Sequence, residues 1–210
     1  MTDQELTLET HSLGAATVEA LQQAIAHRRS MGIARLKPDA VDRSLIEQLL
    51  EAANWAPSHG ETEPWRFTIY TGDSRVALGE AFAAAYQQDA GAGFHEATFE
   101  AQKARALMSP VWISIGMEPA LKSDGSLRMD LEDERIAVGC AVQNLHLVAS
   151  AQGLAGMWLS KNIFIHPHVA EFVGLKSPGQ LLGFFIVGWP NIPWPAGERG
   201  PVSEKVRWAE

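Results

Sequence analysis

The chain is poor in cysteine: Cys140 stands alone among 210 residues. No internal disulfide can form and no cysteine-based zinc site can be built, a composition that suits a reducing compartment. Positive charge is also scarce. Lys and Arg number 17 against 25 Asp and Glu, leaving a formal net charge of −8. That balance argues against a general nucleic-acid or membrane-surface role, because both favour a basic face; a local basic pocket for one phosphate stays open. The longest apolar run, Leu181–Val187, is too short to span a bilayer. The acidic stretch at 1–14 has no apolar core of the kind a secretory signal needs. These features predict a soluble, cytoplasmic protein with no membrane or nucleic-acid partner. Several motifs are missing as well. There is no GxxxxGK[ST] phosphate loop, no GxGxxG after a strand, no HExxH and no serine nucleophile elbow. No internal repeat or low-complexity segment interrupts the chain.

What remains is an ordinary globular composition, 46% hydrophobic and 20% charged, long enough to bury a core without staples. Periodicity divides it into segments. Residues 1–14 show none and are expected to form a flexible N-terminal arm; residues 15–210 are expected to form a single domain. Helices are predicted over 16–29 with Gly32 as a stop, 41–56 with Asp42 as cap, 73–88 with Asp73 as cap, 96–108, and 130–152 with Gly153 as its stop. A short helix follows the His166-Pro167-His168 stretch. Strands are predicted at 66–72, 110–117, 154–160, and 180–190, the last closed by Pro190. The tail from 191 carries Pro193, Pro195 and Pro201 and reads as extended. In the longest helix Ile136, Cys140, Leu147 and Ala151 are among the apolar positions, and the small residues of "IAVGCAV" permit close approach of another helix, including one from a second subunit. Helix-rich, with few strands far apart in sequence, the pattern reads as an α/β or α+β sandwich.

Three stretches carry candidate chemistry. Arg28-Arg29-Ser30 sits at a helix end, where guanidinium forks match phosphate oxygens and a serine adds a short donor; cations there also simply complement the helix dipole. "WAPSHGETEPWRF" (55–67) fits neither helical nor strand period, with Trp55 and Trp65 bracketing a polar run that the two rings would anchor in the core. Its His59, Glu61 and Glu63, with His166 and His168, could ligate a metal. Gly153 and Gly156 in "GLAGMWLSKN" would let backbone approach a flat ligand, or else serve as a helix cap and a packing position.

In their order along the chain these stretches resemble the flavin-dependent nitroreductase family, in particular its short, minimal members. The points of likeness are a helix ending Arg28-Arg29-Ser30, a second ending Ala56-Pro57-Ser58 before a loop closing on Pro64-Trp65, a long helix ending in Gly153, the strands holding Gly156 and Trp158 and "GFFIVGWP", and the Arg199-Gly200-Pro201-Val202 tail. The likeness spans about residues 20–208. It implies an α+β fold, a three-layer sandwich with a central, mostly antiparallel sheet flanked by helices. It also implies a homodimer with a C-terminal extension and FMN held at the subunit interface. By the same resemblance Arg28 and Ser30 hold the FMN phosphate and ribityl chain with Arg29 beside them. His59 and Glu63 reach the flavin from the opposite subunit, Trp158, Leu159 and Ser160 line it, and Arg199 is a second phosphate anchor. No side chain is assigned as catalytic, since the flavin carries the chemistry. The implied activity is ping-pong transfer from NADPH or NADH to a nitroaromatic, quinone or similar small acceptor. The loop departs from the family in carrying Glu61 and Glu63 where amides are common, Gly32 stands where many members have lysine, and Leu159 stands where close relatives have arginine. Two rival readings follow: a flavin-binding protein with little nicotinamide-dependent turnover, and a metal-dependent hydrolase on His59, Glu61, Glu63 and His166.

Overall fold

A computed structural model describes residues 12–209; the arm expected at 1–14 therefore lies outside the described residues except for its last three positions. The first helix, α1 (Ala15–His27), is followed by α2 (Arg43–Asn54), β1 (Trp65–Tyr70), α3 (Ser74–Ala90), α4 (Glu96–Leu107), β2 (Val111–Met117), α5 (Leu131–Ala151), β3 (Ala155–Leu159), α6 (Pro167–Phe172) and β4 (Gln180–Gly188). The strands form one sheet in the order β1-β2-β4-β3 with every neighbouring pair antiparallel.

The central strands explain the layers. β2 has a neighbour on each side, and all seven of its residues are buried, as expected of a strand covered on both faces. Because successive side chains point to opposite faces, Val111, Ile113, Ile115 and Met117 pack with Ile46, Leu49 and Ala53 of α2 and Ala137, Val138 and Leu145 of α5. Trp112 goes the other way, with Leu78 and Phe82 of α3, Ala106 of α4, Val169 of α6, and Phe184 and Ile186 of β4. Helices cover both faces of the sheet, and the α+β three-layer arrangement holds.

Element boundaries agree with periodicity within a few residues, but the caps do not all follow. Asp130 does cap α5, accepting from the Glu132 amide at 2.8 Å. Asp42 and Asp73 precede α2 and α3 without a side-chain capping bond; beside α3 it is the Ser74 hydroxyl that accepts from the Thr71 amide. Gly32 is extended rather than helix-terminating, since α1 already ends at His27. Gly153, at φ +78°, closes the turn after α5. On α5 the buried face is Ala137, Val138, Ala141, Val142, Leu145 and Ala149, and Ile136 is 59% exposed. The helix has two apolar faces, and only one meets the sheet. Among the described residues no helix is long and apolar enough to cross a membrane.

Candidate functional site

The chain leaving α1 runs beside β3. Ser30 forms a parallel bridge with Gly156, and the Met31 amide donates to the Gly156 carbonyl at 2.9 Å. Fully buried Met31 pins the segment from below. At a strand rise of about 3.3 Å per residue, Trp158 lies roughly 7 Å and Ser160 roughly 13 Å further along the edge strand from Ser30's partner. Arg28, Arg29, Ser30, Trp158, Leu159 and Ser160 thus follow one edge of the sheet as a strip of backbone, with Trp158 packed on the α2 and α5 side and Leu159 on the other. The Trp158 indole is locked by donation to the Leu182 carbonyl at 3.0 Å. Gly156 owes its identity to packing: a Cβ there would meet the Phe185 ring at 2.6 Å, so close approach of a ligand is not needed to explain it.

The tail returns to this end of the strip. Trp194 stacks on His27 at 4.6 Å and donates to the His27 carbonyl at 2.7 Å. Arg29 donates to the carbonyls of Pro195 at 3.1 Å, Ala26 at 2.7 Å and Arg28 at 2.7 Å. Its guanidinium is therefore a clamp that holds the tail against the end of α1. The fastening delivers Arg199, which with Arg28, Arg29, Ile25, Gln143 and Gly197 lines a cavity of 370 Å³. Among the described residues none of these three arginines pairs with a carboxylate. Among the described residues the Arg28 guanidinium donates only to Ser30, at 3.3 Å, and that of Arg199 only to the Glu198 carbonyl, at 2.7 Å. Burial first, then Arg199 and Arg29, lowers the Arg28 guanidinium from its ordinary pKa. Three uncompensated cations around one cavity, in an acidic chain, fit a polyanionic group such as a phosphate.

Sequence reasoning passed over His146, on the inner face of α5. It is 6% exposed, donates through Nε2 to the Arg29 carbonyl at 3.0 Å and stands edge-on to the Phe185 ring. Burial first, then the charge of Arg28, pushes it down to about 4, so it is neutral near pH 7 and serves as a fixed donor beneath the arginine turn. A histidine amid the apolar positions of a helix was the one signal available.

The 55–67 loop forms a separate group. His59 donates through Nδ1 to Asp133 at 2.9 Å, and the Thr62 hydroxyl donates to buried Glu134 at 2.6 Å. Glu134 also accepts from the Ala120 amide at 3.4 Å. The loop is thereby tied to the first turn of α5. Gly60, Glu61 and Glu63 take φ of +66°, +55° and +46°; a left-handed backbone is strained for the two glutamates, and strain of this kind clusters at functional sites. Trp65 is a core residue donating to Asn54 at 3.0 Å, but Trp55 is 79% exposed and bonds Glu51. It follows the last turn of α2 on the outward side, so only one of the two bracketing rings anchors the loop. His59 and Glu63 are both exposed. Asp133 and Gln143 are ten residues apart on α5, about 15 Å at 1.5 Å per residue, so within one protomer the loop stands well away from the arginine cavity. The proposed metal ligands are not assembled: His59 turns to Asp133, whereas His166 receives the His168 amide and faces Asp89 of α3. Among the described residues no three His, Cys, Asp or Glu side chains come together as a metal site.

Comparison with known proteins gives a consistent picture. The model described as "Nitroreductase family" matches residues 25–189. YdjA of Escherichia coli, provisionally named an NAD(P)H nitroreductase, is 27% identical over 176 residues, covering 83% of this chain and 90% of its own. The nitroreductase-like family protein of Bacillus cereus superposes with a TM-score of 0.73 at 26% identity, over 90% of this chain and 96% of its own. The FMN-dependent nitroreductase NfnB of Mycobacterium smegmatis, solved in complex with NADPH, gives a TM-score of 0.69 at 18% identity, over 92% of this chain and all of its own.

Proposed function

The chain belongs to the nitroreductase family, and from that premise we propose that it is an FMN-dependent NAD(P)H oxidoreductase whose acceptor is a nitroaromatic, a quinone or a similarly electron-poor molecule. FMN, once bound, supplies hydride and electron transfer that no side chain can. The chain's part is to hold and orient. Residues 15–210 act as one cofactor-binding domain. Arg28 and Arg199 grip the phosphate, and Ser30 adds a hydroxyl. Arg29 keeps the tail in place, and Trp158, Leu159 and Ser160 line the ring system along β3.

His59 and Glu63 reach the cofactor from the partner subunit, in keeping with their distance from the arginines of their own protomer. The homodimer is favoured by apolar surface left uncovered. No residue of α1 is buried, and Val18, Leu21 and Ile25 are 50–55% exposed beside α5, whose outward face carries Ile136. Val202 and Trp208 in the tail are likewise open. Such patches mark interaction surfaces.

The observation that carries the reading is the arginine cavity without a carboxylate. The test is a visible spectrum of the purified protein before and after anaerobic addition of NADPH and then NADH. Flavin bands that bleach are the expected result. Bands that persist would favour a flavin-binding protein without nicotinamide turnover, a reading to which Glu61, Glu63 and Leu159 lend support. Absence of bands, with no uptake of added FMN, would overturn the cofactor assignment. Parallel initial-rate lines for donor and acceptor are expected of ping-pong turnover; intersecting lines would refute it.

A further inference from the structure

Beyond the end of β3 a second cavity opens, of 270 Å³, lined among others by Trp158, Leu159, Ser160, Lys161, Phe164 and Arg105 of α4. Arg105 lies over the Phe164 ring at 5.7 Å. That ring is itself fixed in an aromatic cluster, 5.4 Å from Phe82 and 5.9 Å from Trp112. A guanidinium held over the face of a packed ring leaves its N–H donors free for a ligand. Lys161 follows Ser160 and is exposed, and the next residue, Asn162, takes φ +51°. Among the described residues four cations find acids: Arg43 with Glu47, Arg66 with Glu118, Lys103 with Glu80 and Glu100, and Arg135 with Glu132. Arg105 and Lys161 have no side-chain hydrogen bond or ion pair among the described residues.

The cavity is smaller than the roughly 300–1,000 Å³ of a site that takes a whole ligand, so it suits one group of a larger molecule. Its wall shares Trp158, Leu159 and Ser160 with the strip assigned to the flavin. A molecule lying on that strip would place an anionic substituent between the two cations. Nitroaromatics and quinones carry no phosphate; the reducing nucleotide does. We propose that Arg105 and Lys161 form a phosphate subsite for the nicotinamide nucleotide at the end of β3, an assignment that rests on the FMN oxidoreductase reading above.

The experiment uses the FMN-loaded protein, checked for flavin by its visible spectrum. Dissociation constants of NADP⁺ and NAD⁺ are measured by calorimetry for the wild type, Arg105→Gln, Lys161→Gln and the pair. A charged hydrogen bond to phosphate predicts a rise on the order of tenfold or more for each substitution, together with a weaker dependence on salt. In turnover, kcat/KM for the nucleotide should fall relative to that for a phosphate-free N-alkyl dihydronicotinamide. Loss confined to NADP⁺ assigns the subsite to the 2′-phosphate, and equal loss for both nucleotides assigns it to the diphosphate; either supports the proposal. Lys161 is exposed, so Lys161→Gln carries the test if Arg105→Gln disturbs the packing on Phe164. A wild type reduced by a nucleotide, with variants that keep its affinities, overturns this assignment alone. A wild type that holds FMN but neither binds nor accepts hydride from either nucleotide overturns the donor half of the proposed function, and the subsite with it.

Discussion

Arg28→Ala separates cofactor binding from stability in a way few substitutions can. In the bound protein Arg28 is expected to supply charge-assisted hydrogen bonds to phosphate. Such bonds are worth about 1.5–3 kcal/mol, so FMN affinity should fall roughly 10- to 100-fold. In the cofactor-free protein the sign reverses. Burial and the neighbouring Arg199 and Arg29 lower the Arg28 pKa, which means the folded state disfavours its charged form relative to the unfolded chain. At every pH below that lowered value the charge opposes folding. Among the described residues the one side-chain bond lost is a 3.3 Å contact to Ser30. The apo protein should therefore melt no lower than the wild type, while the rise in Tm on adding FMN should shrink with the lost affinity. Flavin fluorescence titration and thermal melts with and without FMN measure both. Arg28→Lys should fall between, since an ammonium keeps the charge and loses the fork. An unchanged FMN affinity, or an apo Tm several degrees below wild type, would refute the argument.

Further outcomes follow from the same geometry. His146 is held neutral with a pKa of about 4 against 6.5. The unfolded chain binds its proton first, so stability present above pH 6.5 should decline as pH falls toward 4. The loss is on the order of 3 kcal/mol. His146→Gln, which can still donate to the Arg29 carbonyl, should flatten that decline in acid melts; an equally steep decline would refute it. Gly156→Ala forces a methyl against the Phe185 ring and should cost about 1–3 kcal/mol, seen as a Tm lower by several degrees; an unchanged Tm would contradict the close packing. Thr62→Val removes the hydroxyl that donates to buried Glu134, costing about 1–3 kcal/mol and loosening the loop to proteolysis. Leu21→Glu should lower the sedimentation coefficient to that of a monomer, and an unaltered dimer would exclude α1 from the interface.

Much of the fold is legible in the sequence because its signals are local. Alternation and continuous apolar runs mark the strands, and Gly153 and Pro-rich stretches mark the ends. The site is legible only in part. Arg28 and Arg199 are 171 positions apart, and only the resemblance paired them; nothing local foretold that Trp194, His27 and Arg29 would fasten the tail to deliver Arg199. Asp73 has the right chemistry for a cap, yet its backbone is already helical, with φ −72° and ψ −21°. Asp42 shares the extended backbone of Asp130 and still makes no capping bond, so the side-chain rotamer, which composition does not set, decides. Trp55 looked like an anchor because large aromatics are mostly buried, whereas its place at the end of α2 turns it outward. Glu134 and His146 were hidden for the opposite reason: each is a polar residue on a buried helical face, made tolerable by a partner from a distant segment.

The first helix has a consequence for how the protein behaves on dilution. α1 is 13 residues long and buries none of them within its own chain, and an isolated helix of that length is marginal in water. Yet its end positions Arg28 and Arg29. Under the dimer reading, the free energy that orders those arginines comes from association, so mass action links the two equilibria. Flavin should then be released as protein concentration drops through the dimer dissociation constant. Conversely, adding FMN should pull protomers together, so that cofactor supply and protein abundance set one another's threshold.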